Sequence, residues 1–247
     1  MNISKDKGVI LMGFNSIETL ERQIELAKMS QAKSMIKRWI RASIRLKEDL
    51  WRADWMQGQI YAVAMEIARA FQDDKKVLSC GCGGSSSDSA HFCGEFNNQL
   101  SAKRTDPLPA VDLSAMTATM TAISNDHGFD EVFKKQVKGL GKRGDVFVGI
   151  STSGKSRSIL TAIEAARNAG LTTVLLTGKF KTRYTYDKRV SYHYKPVEVI
   201  IRPDYIINVD SEDTPIIQET HIMILHMIVN LVDYIMCGVD YFDKETW

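Results

Sequence analysis

Residues 81–96 read GCGGSSSDSAHFCGEF. Gly81, Gly83 and Gly84 open the stretch, three successive serines follow, and His91 and Glu95 lie four residues apart near its end. A glycine-rich turn lets backbone N–H groups approach a ligand closely. A helix starting there adds the positive end of its dipole, so the turn is an expected anion site. Gly83, Gly84 and Ser85 are its expected contacts. A second such turn is ISTSGKS at 150–156, where Ser151, Thr152, Ser153 and Ser156 present hydroxyls at a helix start. One hydroxyl is enough to cap a helix. Four of them with a glycine would suit the terminal phosphate of a small molecule.

His91 and Glu95, at i and i+4, face the same way on a helix. Gln218, Glu219, His221 and His226 sit on a later helix. Gln218 and His226 stand about 80° apart around an ideal helix, near enough for long side chains to converge. Two imidazoles, a carboxylate and an amide can enclose a divalent cation, with Zn2+ favoured by the imidazoles. Spacing alone leaves this open, because an i, i+4 His–Glu pair also occurs as a surface contact.

The elements that must position these groups are legible in the apolar pattern. Residues 15–72 read as helical throughout, with apolar positions at three- and four-residue steps. At Lys76 the pattern changes. Short apolar runs at 77–80, 109–113, 145–150, 172–178 and 206–209 alternate with helical stretches at 86–99, 114–123, 129–139, 156–169 and 214–237. Such alternation predicts an α/β domain with a parallel sheet covered on both faces. The expected organisation is an N-terminal helical segment, 1–72, packed on a single unit, 73–247. Residues 179–203, rich in Lys, Arg and Tyr, form an insertion that reads as a hairpin or a loop.

The chain has 247 residues and a formal charge of +2. That balance implies no polyanion partner, although the basic, Tyr-rich insertion has the composition of a nucleic-acid or phosphate contact. Four cysteines without a secreted-type framework predict free thiols in a reducing cytoplasm. The opening residues lack a signal pattern, and no apolar run reads as long enough to cross a membrane.

The stretches GCGGSSSDSAHFCGEF, ISNDHGFDEVF, GDVFVGISTSGKSRSILTAIEAARNAG, LLTGK and DTPIIQETHIMILH stand in the order seen in phosphoheptose isomerases, which this chain resembles. The resemblance covers roughly residues 50–178 and 206–237. These are sugar isomerase (SIS) domain enzymes. The resemblance implies a three-layer α/β sandwich and a homotetramer with active sites at subunit interfaces. It also implies conversion of sedoheptulose 7-phosphate to D-glycero-D-manno-heptose 7-phosphate. His91, Glu95, Gln218 and His226 match positions that line the family's active site, where some members bind one zinc ion. By the same resemblance Asp126 reaches the sugar hydroxyls.

Aldose–ketose interconversion moves a proton between C1 and C2 through an enediol. Glu95, beside Phe92 and Phe96, is the expected carbon base, and His226 the expected group acting on the oxygens. The chain departs from the family at Cys82, where an Asn is usual, at Gln99 and Ile216, where arginines are usual, and in the length of 179–203. An alternative is a non-catalytic SIS binding protein, a sugar-phosphate sensor or a tetramer that associates with a replication initiator. The joint presence of His91, Glu95, Gln218 and His226 favours the enzyme. Asp213 and Thr214 are expected caps of the last helix, with Pro215 in its first turn. His221 reads either as a third site group or as a residue on a helix face. His127 and His193 are expected to face solvent.

Overall fold

The computed structural model describes residues 11–98, 104–179, 184–188 and 197–238. The chain divides into two compact units, 1–45 and 46–247. The described part of the first, residues 11–45, is the long N-terminal part of helix α1 (Leu11–Arg52). It carries exposed Leu20, Ile24, Met35, Trp39, Ile40 and Ile44.

The second unit is built on five parallel strands: β1 (Val77–Gly81), β2 (Ala110–Asp112), β3 (Val146–Ser151), β4 (Thr172–Thr177) and β7 (Tyr205–Asn208). Their order is β2-β1-β3-β4-β7. Side chains alternate across the sheet because strand residues point to opposite faces. Val77, Val146, Val148, Ile150, Val174 and Leu176 join one core with α2 (Asp54–Gln72), α3 (Gly84–Asn97) and α7 (Thr214–Cys237). Leu78, Cys80, Phe147 and Leu175 join the other, with α5 (Val132–Leu140) and α6 (Arg157–Asn168). The result is the expected three-layer sandwich. The boundary between the compact units falls ahead of α2, which packs on α7 and on β7.

Buried ionic contacts hold the strands in place at their entry. Asp145, just before β3, is buried and receives Lys76 Nζ at 2.6 Å, Lys76 N at 3.1 Å and Lys142 N at 2.7 Å. It thus ties the starts of β1 and β3 together. In the insertion, β5 (Tyr184–Lys188) and β6 (Val197–Ile201) pair antiparallel, so the segment is a hairpin rather than an open loop. His193, between these strands, lies outside the described residues. Helix α4 (Thr117–His127) buries none of its side chains, and His127 at its end is exposed as expected.

Helix α7 corrects one expectation. Its 24 residues are apolar enough, by length and composition, to cross a membrane. They instead bury Ile216, Ile217, Ile224, Leu225, Ile228, Val229 and Val232 against α2 and α3, which accounts for the composition. Asp213 occupies the N-cap position of α7, with Pro215 in the first turn as expected. Its side chain makes no capping hydrogen bond there. All four cysteines are free, as expected.

Candidate active site

From β1 the chain crosses to β2 on one side; β3 lies on the other. The sheet order therefore reverses between β1 and β3. A crevice opens at the carboxyl ends of strands at such a point, the usual ligand site of open α/β sheets. Both anion turns named from sequence leave the sheet here, 81–84 after β1 and 151–156 after β3.

The first turn is built by glycine. A Cβ on Gly81 would overlap the backbone of Ser85, and Gly83 takes φ +60° at the N-cap of α3. Ser114 Oγ holds the turn from the side, 3.1 Å from both the N and the O of Gly81. Ser89 anchors α3 to the sheet, with Oγ 2.7 Å from Asp112 Oδ1 and 3.0 Å from Ser79 Oγ. Gly84 opens α3 with no Cβ, and the Gln218 amide fills that space.

In the second turn the hydroxyl at the N-cap position does not cap. Ser156 is the N-cap of α6 yet makes no side-chain capping bond. Its Oγ accepts from Ser151 Oγ at 3.0 Å. The turn closes through Gly154 N to Ser151 O at 2.9 Å, and Gly154 takes φ +60°. Cys82 Sγ lies 3.4 Å from Ser158 Oγ, which joins the first turn to the start of the helix that follows the second. Residues 149–156, GISTSGKS, also match the spacing of a nucleotide-binding P-loop. The strand excludes that reading, because Gly149 pairs with Cys80 and Leu175 inside the sheet and packs under Ile159. Too few residues are left for a loop that wraps two phosphates.

Helices α3 and α7 run side by side, with Gly84 meeting Gln218 and His91 meeting His226. His91 Nε2 lies 2.7 Å from His226 Nε2 and 3.2 Å from Glu95 Oε1. One ligand atom from each of the three lies within 4.8 Å of the others, a group able to hold a metal ion. Burial and the neighbouring His91 push the His226 imidazole below its ordinary range, while Glu95 pulls the other way. A neutral imidazole offers a lone pair to a cation or a proton. Gln218 is brought to Gly84, two helical turns before His91 on α3. Asp126 stands at the exposed end of α4 and accepts from Asn125 Nδ2 at 2.9 Å.

Three further residues contribute; Asp88 and Arg104 were not read from sequence, and His221 was read with its role left open. Asp88 lies on the α3 face between Gly84 and His91. Burial pushes its carboxyl up to about 6, with His91 opposing. Its position three residues before His91 was the available signal. His221 is fully buried, with Nε2 3.2 Å from Thr177 O. A carbonyl accepts, so Nε2 carries the proton. The next residue, Gly178, donates its N–H to Thr152 O at 2.9 Å, so His221 supports the hydroxyl turn from beneath. The sequence reading of His221 as a residue on a helix face fits this position, on the buried face of α7. The third contributor is Arg104, buried between the end of α3 and Asp233.

Fold and site together define an SIS-domain protein, and the SIS domain family model matches residues 38–178. The chain belongs, within that class, to the phosphoheptose isomerase family, and it is an enzyme, a sugar-phosphate isomerase. It is 39% identical to the phosphoheptose isomerase of Thermodesulfovibrio yellowstonii over 203 residues, 82% of this chain and 92% of that one. With the enzyme of Clostridium acetobutylicum it shares 36% identity over 206 residues, 83% and 97% of the two chains. The solved phosphoheptose isomerase of Neisseria gonorrhoeae superposes with a TM-score of 0.66 at 33% identity, covering 81% of this chain and 98% of that one.

Proposed function

We propose that this chain interconverts sedoheptulose 7-phosphate and D-glycero-D-manno-heptose 7-phosphate through an enediol. The observation that carries the reading is the convergence of His91, Glu95 and His226, from two helices, along α3 from the glycine turn. Gly84 and His91 are seven residues apart on α3, a rise of about 10 Å. A seven-carbon chain with a terminal phosphate spans a length on the order of 10 Å at single-bond lengths near 1.5 Å. A phosphate held by Gly83, Gly84, Ser85, Ser151, Thr152, Ser153 and Ser156 thus leaves C1 and C2 at the cluster.

In this reading the N–H groups and hydroxyls of the two turns bind the phosphate, while Gln218 and Asp126 orient the hydroxyls between. Glu95 removes a proton from C1 of the ketose and returns it to C2. His226, neutral near pH 7, moves the proton between O1 and O2. His91, Glu95 and His226 are the residues that would hold one Zn2+ per site. Their donor set of two imidazoles and a carboxylate suits it. A bound zinc supplies Lewis-acid stabilisation of the enediolate charge. Glu95 has two carboxylate oxygens, so one can serve a cation while the other keeps lone pairs for the proton.

The proposal extends to a cytoplasmic homotetramer with active sites at subunit interfaces. The family resemblance and the apolar side chains left exposed on α1 support it. The test is a panel of five-, six- and seven-carbon sugar phosphates followed by NMR, with and without chelator. Turnover of the seven-carbon ketose alone is expected. Absence of turnover across the panel, with tight binding of a sugar phosphate, DNA or a protein, would favour the non-catalytic alternative.

A further inference from the structure

We infer that Arg104 is a positioning residue, clamping the turn of α3 that carries Glu95 to α7 and so setting the spacing of the His91–Glu95–His226 cluster. The inference rests on the reading of that cluster as the reacting end of the site.

Four of the five guanidinium N–H groups go to fixed acceptors. Nη2 donates to Glu95 O at 2.5 Å, Nη1 to Phe96 O at 2.8 Å and Asp106 O at 3.1 Å, and Nε to Asp233 Oδ1 at 2.6 Å. The side chains of Arg104 and Asp233 are 3% and 0% exposed. The last carbonyls of a helix lack intrahelical partners, and positive charge is favoured there. α3 has no basic residue of its own in its last turn, so Arg104 supplies that charge from outside the helix. Asp233 lies seven residues after His226, two turns on and on the same face of α7. The clamp therefore sits just beyond the point where His91 and His226 meet, and it holds the residue whose side chain completes the cluster.

A planar, rigid fork suits this use, since it fixes angle as well as distance. Stability alone is a poor explanation for the pair. Buried ion pairs are commonly matched or exceeded by apolar residues of similar volume. Asp233 Oδ2 has no hydrogen-bond partner among the described residues, so the pair is not fully satisfied.

The experiment compares full-length wild type, Arg104→Lys and the apolar double variant Arg104→Met/Asp233→Leu. Zinc affinity of the metal-stripped proteins is read by competition with a chromophoric chelator, alongside thermal melting and isomerase kinetics. The double variant is expected to melt cooperatively near wild type, bind zinc at least tenfold more weakly, and lose kcat with KM little changed. Arg104→Lys keeps the charge for Asp233 but not the fork. It is expected to lose zinc affinity about threefold or more, and it decides the matter if the double variant does not fold. A folded variant with wild-type zinc affinity and kcat overturns the clamp alone. Wild type that neither binds zinc nor turns over overturns the cluster reading and the clamp with it.

Discussion

The ring nitrogens of His91 and His226 face each other at 2.7 Å across 135 positions of sequence. Two imidazoles at that distance repel if both are protonated, and a shared proton or a shared cation relieves the contact. Chelator treatment followed by zinc add-back is therefore expected to abolish and restore isomerase activity. His226→Ala is expected to reduce zinc binding at least tenfold. Equilibrium dialysis with metal analysis checks both.

Glu95 is half-buried, with Oε1 turned toward His91. Glu95→Gln keeps its shape and removes its capacity as a base. Its kcat is expected to fall by about 10² to 10⁴, the usual worth of general-base catalysis. Melting temperature is expected to stay within a few degrees of wild type. Loss of the fold along with activity would count against a catalytic role.

Gly84 offers a test that separates stability from function. It lies in the first turn of α3, where alanine is the better helix former by about 1 kcal/mol. Its missing Cβ is what admits the Gln218 amide. Gly84→Ala is expected to melt no lower than wild type while KM for the sugar phosphate rises about tenfold, the cost of one displaced hydrogen bond to a charged ligand. Steady-state kinetics beside calorimetry decides it.

His221 makes the fold acid-sensitive. Burial lowers its imidazole to about 4, with the Thr177 carbonyl contact opposing. A depressed folded-state pKa means that the unfolded chain binds the proton first. The stability it contributes is thus complete above pH 6.5 and is lost as pH falls from there toward 4. A shift of this size is worth roughly 3 kcal/mol across that window. Asp88, raised from 3.8 to about 6, acts in the opposite sense, adding stability as pH falls through that range. The difference between wild type and His221→Gln isolates the imidazole. Urea unfolding at pH 7 and pH 4.5 is expected to show a smaller acid loss in the variant.

The starts of β1 and β3 depend on Asp145. Its carboxylate is buried and serves one ammonium and two backbone N–H groups. Asp145→Ala is expected to cost about 3 kcal/mol, because Lys76 loses its buried partner. Urea denaturation measures this directly.

Much of the architecture is legible in the sequence because parallel strands announce themselves. VLSC, DVFVGI and TTVLLTG are short apolar runs, and the first two lead into the glycine and hydroxyl turns at the switch point. His91 and Glu95 were legible from helical spacing, His226 only as a member of a helix face. Their meeting depends on the parallel packing of α3 and α7, which no local pattern encodes. Gln218 shows the limit. The angle around α7 suggested convergence with His226, but eight residues rise about 12 Å along a helix. That rise carries the amide to Gly84. Asp233 stood in plain view as an acid in an apolar helix, and only the fold shows that Arg104 answers it. The serines of 150–156 read as a phosphate lining with capping as the rival. The structure turns the Ser156 hydroxyl to Ser151 instead of the helix backbone, so the capping role falls away at the N-cap itself.

The central claim is that Glu95 moves the carbon-bound proton of a sugar whose phosphate rests in the two turns. Sedoheptulose 7-phosphate incubated with the enzyme in D2O, followed by NMR, tests it most directly. Deuterium is expected at C2 of the aldose formed and at C1 of the recovered ketose, with both signals lost in Glu95→Gln. Aldose formed without solvent deuterium at C2, or exchange that persists undiminished in Glu95→Gln, would contradict it.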